Sequence, residues 1–204
     1  MSIASAILRL IGWKVDISIP DYPKCLICVA PHTSNWDFVM GKLAYASIGR
    51  HAGFMMKSTW FFPPLGWIFR AMGGIPVYRS NKGKHPSMVD QVSTMMRQRD
   101  KLQIAITPEG TRSRTSQWHT GILRIAYNTG VPIVLATIDY QNKRITASHA
   151  ISASGNHDLD MTLIKSHYKA SQAKHPKDFD NSSHVSAQNC APETCEKGTL
   201  SNPT

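Results

Sequence analysis

Short apolar runs alternate with longer amphipathic ones along most of this chain, and that alternation most restricts its fold. It predicts an α/β domain: a mixed, largely parallel sheet flanked by helices. Strands are expected over 24–30, 52–57, 75–78, 102–107, 132–138 and 143–148, and helices over 35–48, 64–72, 86–99, 119–129 and 158–172. The third helix carries the clearest signal, because Met88, Val92, Met95 and Met96 recur at helical spacing, with Arg97 and Arg99 at the C-terminal end. A methionine stripe of this kind packs a core. With 204 residues, one domain is the expectation. Its parts are an amphipathic N-terminal helix over 1–14, a domain over 15–173, and a tail over 174–204 that is polar, aperiodic and expected to be disordered.

The charge is unevenly spread. Residues 1–150 hold 18 Lys and Arg against 7 acids, a net +11, whereas residues 151–204 carry −1. An anionic partner is expected for the basic part: nucleic acid, a lipid headgroup, a phosphorylated metabolite or an acidic carrier protein. No Gly-rich nucleotide loop is present, which argues against kinase and dehydrogenase chemistry.

Cys25 and Cys28 fall inside the apolar run 24–30 and read as buried strand residues. Cys190 and Cys195 lie in the polar tail, so neither a disulfide scaffold nor a paired zinc site is indicated, and a reducing compartment fits. No apolar stretch reaches the roughly 18 residues of a membrane span. The opening segment can place Ile3, Ile7, Leu10 and Ile11 on one helical face, followed by Trp13 and Lys14. Such a helix either lies in a membrane interface or packs on its own domain.

Three stretches carry chemistry. The first is Pro31-His32-Thr33-Ser34-Asn35-Trp36-Asp37, where a buried strand gives way to a helix. Active sites of open α/β sheets gather at that edge. His32 suits proton abstraction from a hydroxyl, and Asp37 suits the role of fixing its tautomer. Ser34 and Asp37 also fit a helix capping box, and the two readings are compatible. The second is Thr107-Pro108-Glu109-Gly110-Thr111-Arg112-Ser113-Arg114, a turn with two forked cations suited to phosphate. The third runs from Lys57 through Trp60, Phe61, Phe62, Trp67 and Phe69 to Arg70 and Arg79, an aromatic segment edged by cations. It suits a molecule with an apolar chain and an anionic head.

Taken together these stretches resemble the lysophosphatidic acid acyltransferase family (1-acyl-sn-glycerol-3-phosphate acyltransferases) of the glycerolipid acyltransferases, collinearly over about residues 24–140. His32 and Asp37 match the His-x-x-x-x-Asp motif. Lys57, Pro64, Gly66, Gly74, Ile75, Pro76 and Arg79 are similar to the second motif. Pro108-Glu109-Gly110-Thr111-Arg112-Ser113 matches the third, with Thr107 in place of the usual Phe, and Val131-Pro132-Ile133-Val134 matches the fourth. The resemblance implies the glycerolphosphate acyltransferase-like fold and a reaction: transfer of an acyl chain from acyl-CoA or acyl carrier protein to the free hydroxyl of a lysophospholipid.

By the same resemblance His32 is the general base, Asp37 orients it, and both are catalytic. Lys57, Arg79, Glu109, Gly110, Thr111 and Arg112 hold the acceptor phosphate, and the strand Val131–Leu135, including Pro132, lines the apolar side. Neither metal nor cofactor is implied. An anionic membrane surface is the expected partner, with the protein peripheral or monotopic on the cytoplasmic face of the inner membrane; residues 1–14 and the aromatic stretch are left for that contact. Two other classes compete. A binding module for nucleic acid or another anionic surface would bind with steep salt dependence and tolerate loss of His32, yet no nucleic-acid-binding signature is present. A hydrolase would pair His32 with Ser34 or Ser113, yet neither serine sits in a Gly-x-Ser-x-Gly elbow.

Overall fold

The computed structural model describes residues 2–78 and 86–182. Seven strands form one sheet: β1 (Lys14–Ile17), β2 (Lys24–Ala30), β3 (Gly53–Lys57), β4 (Gly74–Val77), β5 (Leu102–Ile106), β6 (Ile133–Asp139) and β7 (Arg144–Ile151), in the order β1-β7-β6-β2-β5-β3-β4. The strands from β6 to β4 are mutually parallel; β7 runs antiparallel to β6, and β1 pairs parallel with β7. This is the α/β class read from the alternation. Sequence reading placed the other six strands to within a few residues and missed β1, whose four residues Lys-Val-Asp-Ile give too short an alternation to stand out.

Among the described residues six α-helices accompany the sheet: α1 (Ile3–Leu10), α2 (Asn35–Ser47), α3 (Leu65–Ala71), α4 (Met88–Gln98), α5 (Gly121–Thr129) and α6 (His157–Ser166). Crossovers between parallel strands are right-handed. The path β2-α2-β3-α3-β4 therefore puts α2 and α3 on one face, and the return β4-α4-β5-α5-β6 puts α4 and α5 on the other. The side chains obey this. Cys25, Ile27, Val134, Ala136 and Ala147 pack with Tyr45 of α2, while Leu26, Cys28, Ile104, Ile133 and Leu135 pack with Val92, Met96, Ile122 and Ile164 of α4, α5 and α6. As β2 is covered on both sides, its continuous apolar run is the expected signature of a central parallel strand.

Local signals set the helix ends. Ser87 caps α4 by accepting from the Asp90 N–H, and Asn156 caps α6 by accepting from Leu159. In α4 the buried apolar positions are Val89, Val92 and Met96, with Ser93 buried beside them; Met88 is exposed, so the core stripe is rotated from the one expected. The last expected helix stops at Ser166, after which the chain makes a 3₁₀ turn at Ala170–Gln172.

At the N-terminal end the structure takes one of the two readings left open, and at the C-terminal end it corrects the expectation. Helix α1 packs on its own domain, with Leu8 buried against Met40, Ala44, Ile138 and Ile145, a burial that contributes about 2 kcal/mol. The predicted apolar face nevertheless stays outside, with Ile3 83% and Leu10 88% exposed. The segment expected to be a tail from 174 is packed as far as residue 182. Phe179 is buried and meets Trp118 edge-on with ring centroids 5.9 Å apart. A single aromatic in a polar stretch gives no periodicity, so the sequence offered no signal for it. The remainder of the tail, with Cys190 and Cys195, lies outside the described residues. Cys25 and Cys28, three apart on β2, are both buried, and burial pushes each thiol up to about 12.

Candidate active site

Strands β2 and β5 are neighbours, but the helices that follow them depart to opposite faces of the sheet. Such a divergence opens a crevice at the carboxyl ends of the two strands, the usual ligand site of an open α/β sheet. The stretches 31–37 and 107–114 are the loops that leave β2 and β5 there. They are joined directly: Glu109 Oε1 accepts the backbone N–H of His32 at 2.7 Å.

In the first loop, the Asp37 carboxylate lies 2% exposed at the start of α2. Its Oδ2 accepts the backbone N–H groups of Thr33 and Ser34, each at 2.9 Å, and lies 3.1 Å from His32 Nδ1. The capping box and the His-Asp pair thus coexist, the Ser34 contact being half of the cap. The carboxylate as acceptor sets Nδ1 as the protonated nitrogen. Nε2 is left as a lone-pair acceptor with no hydrogen bond among the described residues, on a ring that lines the main cavity.

That cavity is about 900 Å³. One part runs between α2 and the sheet and is apolar, walled by Ile27, Val29, Ala44, Tyr45, Ile138 and Ala147; the other passes over the strand ends to Lys57, Thr107, His119 and Arg124. A second cavity of about 410 Å³ shares Gly110, His119 and Thr120 with it and reaches Thr111 and Gln117.

The loop 107–114 differs in character. Glu109 is 2% exposed, and burial, with the nearby Asp37 charge, pushes its carboxyl up to about 7 against the opposing pull of the His32 amide. Its recorded contact is with the first loop. Gly110 has φ +66°, and a Cβ there would meet the His119 ring at 2.5 Å, so only glycine fits. Thr111 to Arg114 are exposed. Arg114 pairs with Asp180 at 3.2 Å, Trp118 Nε1 donates to the Asp180 carbonyl at 3.0 Å, and Lys165 Nζ donates to the carbonyls of Ser116 and Ser182, both at 2.7 Å.

The structure brings His32, Asp37, Lys57, Glu109, Gly110, Thr111 and Arg112 to this edge. Arg79 lies outside the described residues. Pro132 does not come to the site: it precedes β6, which runs parallel to β2, and its carbonyl accepts the Leu26 N–H at the opposite edge of the sheet. The apolar wall expected from Val131–Leu135 is supplied further along β6 by Ala136 and Ile138. Sequence reading missed Tyr140, whose hydroxyl donates to Asp37 Oδ1 at 2.8 Å, and the cavity-lining His119 and Arg124. None stands in a motif; only the turn before α5 and the end of β6 could have drawn attention to them.

Helices α1, α2 and α3 lie side by side on one face, α2 being tied to the end of α3 by Lys42 Nζ, which donates to the Met72 carbonyl at 2.8 Å. This face exposes Ile3, Leu10, Trp36, Trp67 and Ile68. Of the three acids in residues 1–78, Asp37 is buried, Asp16 pairs with Arg144, and Asp21 pairs with Arg50 and Lys101. No helix among the described residues is long and apolar enough to cross a membrane.

Comparison with known proteins agrees with this geometry. The family model described as Acyltransferase matches residues 18–139. A Mycoplasma pneumoniae protein named as a probable 1-acyl-sn-glycerol-3-phosphate acyltransferase is 29% identical over 147 residues, covering 67% of this chain and 53% of that one. The chain therefore spans about half the length of that relative. The crystal structure of PlsC, the 1-acyl-sn-glycerophosphate acyltransferase of Thermotoga maritima, superposes with a TM-score of 0.50 at 18% identity, over 74% of this chain and 67% of the other, and shares the fold.

Proposed function

Since the chain belongs to the acyltransferase family, we propose that it transfers a fatty acyl group from acyl-CoA or acyl carrier protein to the free hydroxyl of a lysophospholipid, 1-acylglycerol-3-phosphate first among them. The product is then phosphatidic acid. One observation carries the reading: a histidine held at Nδ1 by a buried carboxylate lines the cavity in which an apolar part meets a cation-lined part.

His32 Nε2 takes the proton of the acceptor hydroxyl as its oxygen attacks the thioester carbonyl. The carbon–sulfur bond then breaks, and the proton leaves with the thiol. Asp37 stabilises the imidazolium that forms between these events. The acyl group arrives already activated as a thioester, so the reaction as proposed needs no metal or cofactor, and the inert buried thiols of Cys25 and Cys28 have no part in it.

The acceptor phosphate is assigned to Lys57 and Arg124, which line the polar part of the cavity, with Arg112 from the exposed tip of the neighbouring loop and Arg79 by family resemblance. Gly110 and Thr111 contribute backbone at the turn. Glu109 is reassigned from phosphate ligand to brace, because its recorded hydrogen bond goes to the His32 amide. The acyl chain takes the apolar part beneath α2. The α1–α2–α3 face, apolar and without a free carboxylate, is assigned to an anionic membrane surface, to which each nearby Lys or Arg adds about 1 kcal/mol. Peripheral attachment at the cytoplasmic face of the inner membrane is part of the proposal.

The test is transfer of labelled acyl groups from acyl-CoA, and separately from acyl carrier protein, to a panel of lysophospholipids in anionic vesicles, with His32→Ala beside the native protein. Diacyl product from the native protein, reduced by about 10² to 10⁴ in the variant, is the expected result. Thioester hydrolysis without transfer, or transfer indifferent to His32, overturns it.

A further inference from the structure

We propose that Tyr140 is a positioning residue of this site: its hydroxyl holds the second oxygen of Asp37 and thereby fixes the carboxylate that orients His32. The inference rests on the reading of His32 as the base, and it goes beyond that reading because Tyr140 follows β6 and stands outside all four motif stretches.

The two oxygens of Asp37 are served unequally. Oδ2 takes two backbone N–H groups and the His32 ring nitrogen. For Oδ1 the one hydrogen bond recorded among the described residues is the Tyr140 hydroxyl at 2.8 Å. A carboxylate oxygen in a nearly inaccessible site cannot turn to water, so losing this donor leaves a buried acceptor orphaned. The carboxylate then rotates to share the donors crowded on Oδ2, and the 3.1 Å contact to Nδ1 is the one that gives way, because the backbone donors are fixed by the cap. Proton transfer depends on sub-ångström placement of this pair.

Tyr140 is itself held on several sides. Its N–H donates to the Gln172 carbonyl at 2.9 Å. Trp13, which follows α1, meets its ring edge-on with centroids 5.1 Å apart and planes at 87°. Lys174 Nζ lies 5.9 Å from the same ring and 5.3 Å from Trp36. Burial and the Asp37 charge raise the phenol far above its ordinary range, so it remains a donor throughout the working pH range. The residue that steadies the dyad is thus packed between the end of α1 and the segment that leads on to Phe179.

Tyr140→Phe keeps the ring and removes the donor. In the vesicle assay with acyl-CoA, the expected result is a fall in kcat of about tenfold to a hundredfold, with KM for both substrates within about twofold of native. In protein carrying ¹⁵N-labelled histidine, the downfield His32 Nδ1–H resonance is expected to shift or broaden beyond detection. A kcat within about twofold of native, a KM change as large as the kcat change, or an unmoved resonance overturns the proposal. His32→Ala run alongside separates the two claims. If it abolishes transfer while Tyr140→Phe does not, the positioning claim alone falls. If it leaves transfer intact, the base assignment falls first and the catalytic role of Tyr140 falls with it.

Discussion

The two loops that meet at this site are held in opposite ways. The first, from Pro31 to Asp37, is fixed mainly from within: three of the four hydrogen bonds on Asp37 come from the loop itself, the fourth from Tyr140, and helix α2 grows out of its last residues. The other, from Thr107 to Arg114, has one internal side-chain contact, Ser113 N–H to Thr111 Oγ1 at 3.2 Å, and an exposed tip; residues far along the chain hold its end, Asp180 through Arg114 and Lys165 through Ser116 just beyond it. A group that moves a proton needs a geometry set before substrate arrives, whereas cations that receive a substrate must remain open to solvent until then. Glu109 joins the two by anchoring the fixed loop from inside the open one.

The largest effect is expected in the rigid loop. Asp37→Asn keeps an acceptor for the backbone N–H groups but offers an amide donor or a neutral oxygen to His32, favouring the wrong tautomer. A loss in kcat of about 10³- to 10⁴-fold is expected, with the far-ultraviolet circular dichroism unchanged. Activity within tenfold of native would show that the pair is only a cap.

Glu109→Gln probes the joint between the two loops. The fold favours the protonated carboxyl, its pKa being raised from 4.5 to about 7. The sign follows: this group costs nothing below pH 4.5, destabilises progressively as pH rises to about 7, and exacts a constant cost above that. Glutamine keeps the acceptor for the His32 amide and never ionises. The variant should therefore gain on the native protein between pH 4.5 and 7, to a difference on the order of 3 kcal/mol at pH 8. Urea midpoints that run parallel across this range would place the Glu109 carboxylate in contact with water.

How much of this was legible depends on the range of the interaction. The parallel sheet, its central strand and the loops at its C-terminal edge follow from apolar runs and from local caps such as Ser34, so spacing reveals them. The Asp37 cap and the Gly110 turn are likewise local. Tyr140 lies 103 residues from the carboxylate it serves, and Phe179 lies far beyond the aromatics it meets; neither leaves a trace in a window of neighbouring residues. Pro132 shows the reverse error. It matches a motif, yet a parallel pairing carries the start of β6 to the far edge of the sheet, which only topology decides.

The smallest effect tests whether the open loop is ordered from outside at all. Asp180→Asn removes the charge that faces Arg114 at 3.2 Å, a pair whose arginine side chain is 68% exposed. Contacts of that kind contribute at most about 1 kcal/mol, and screening by salt reduces it further. The Asp180 backbone carbonyl that accepts from Trp118 is untouched, so the core beneath the loop stays closed. With the tip alone loosened, KM for the acceptor should rise about two- to fivefold at low ionic strength, with kcat and the donor KM unchanged, and the difference should vanish near 0.5 M salt. A kcat effect that persists in salt would mean that the loop, like the first one, must be set before substrate arrives, and the contrast between the two would be lost.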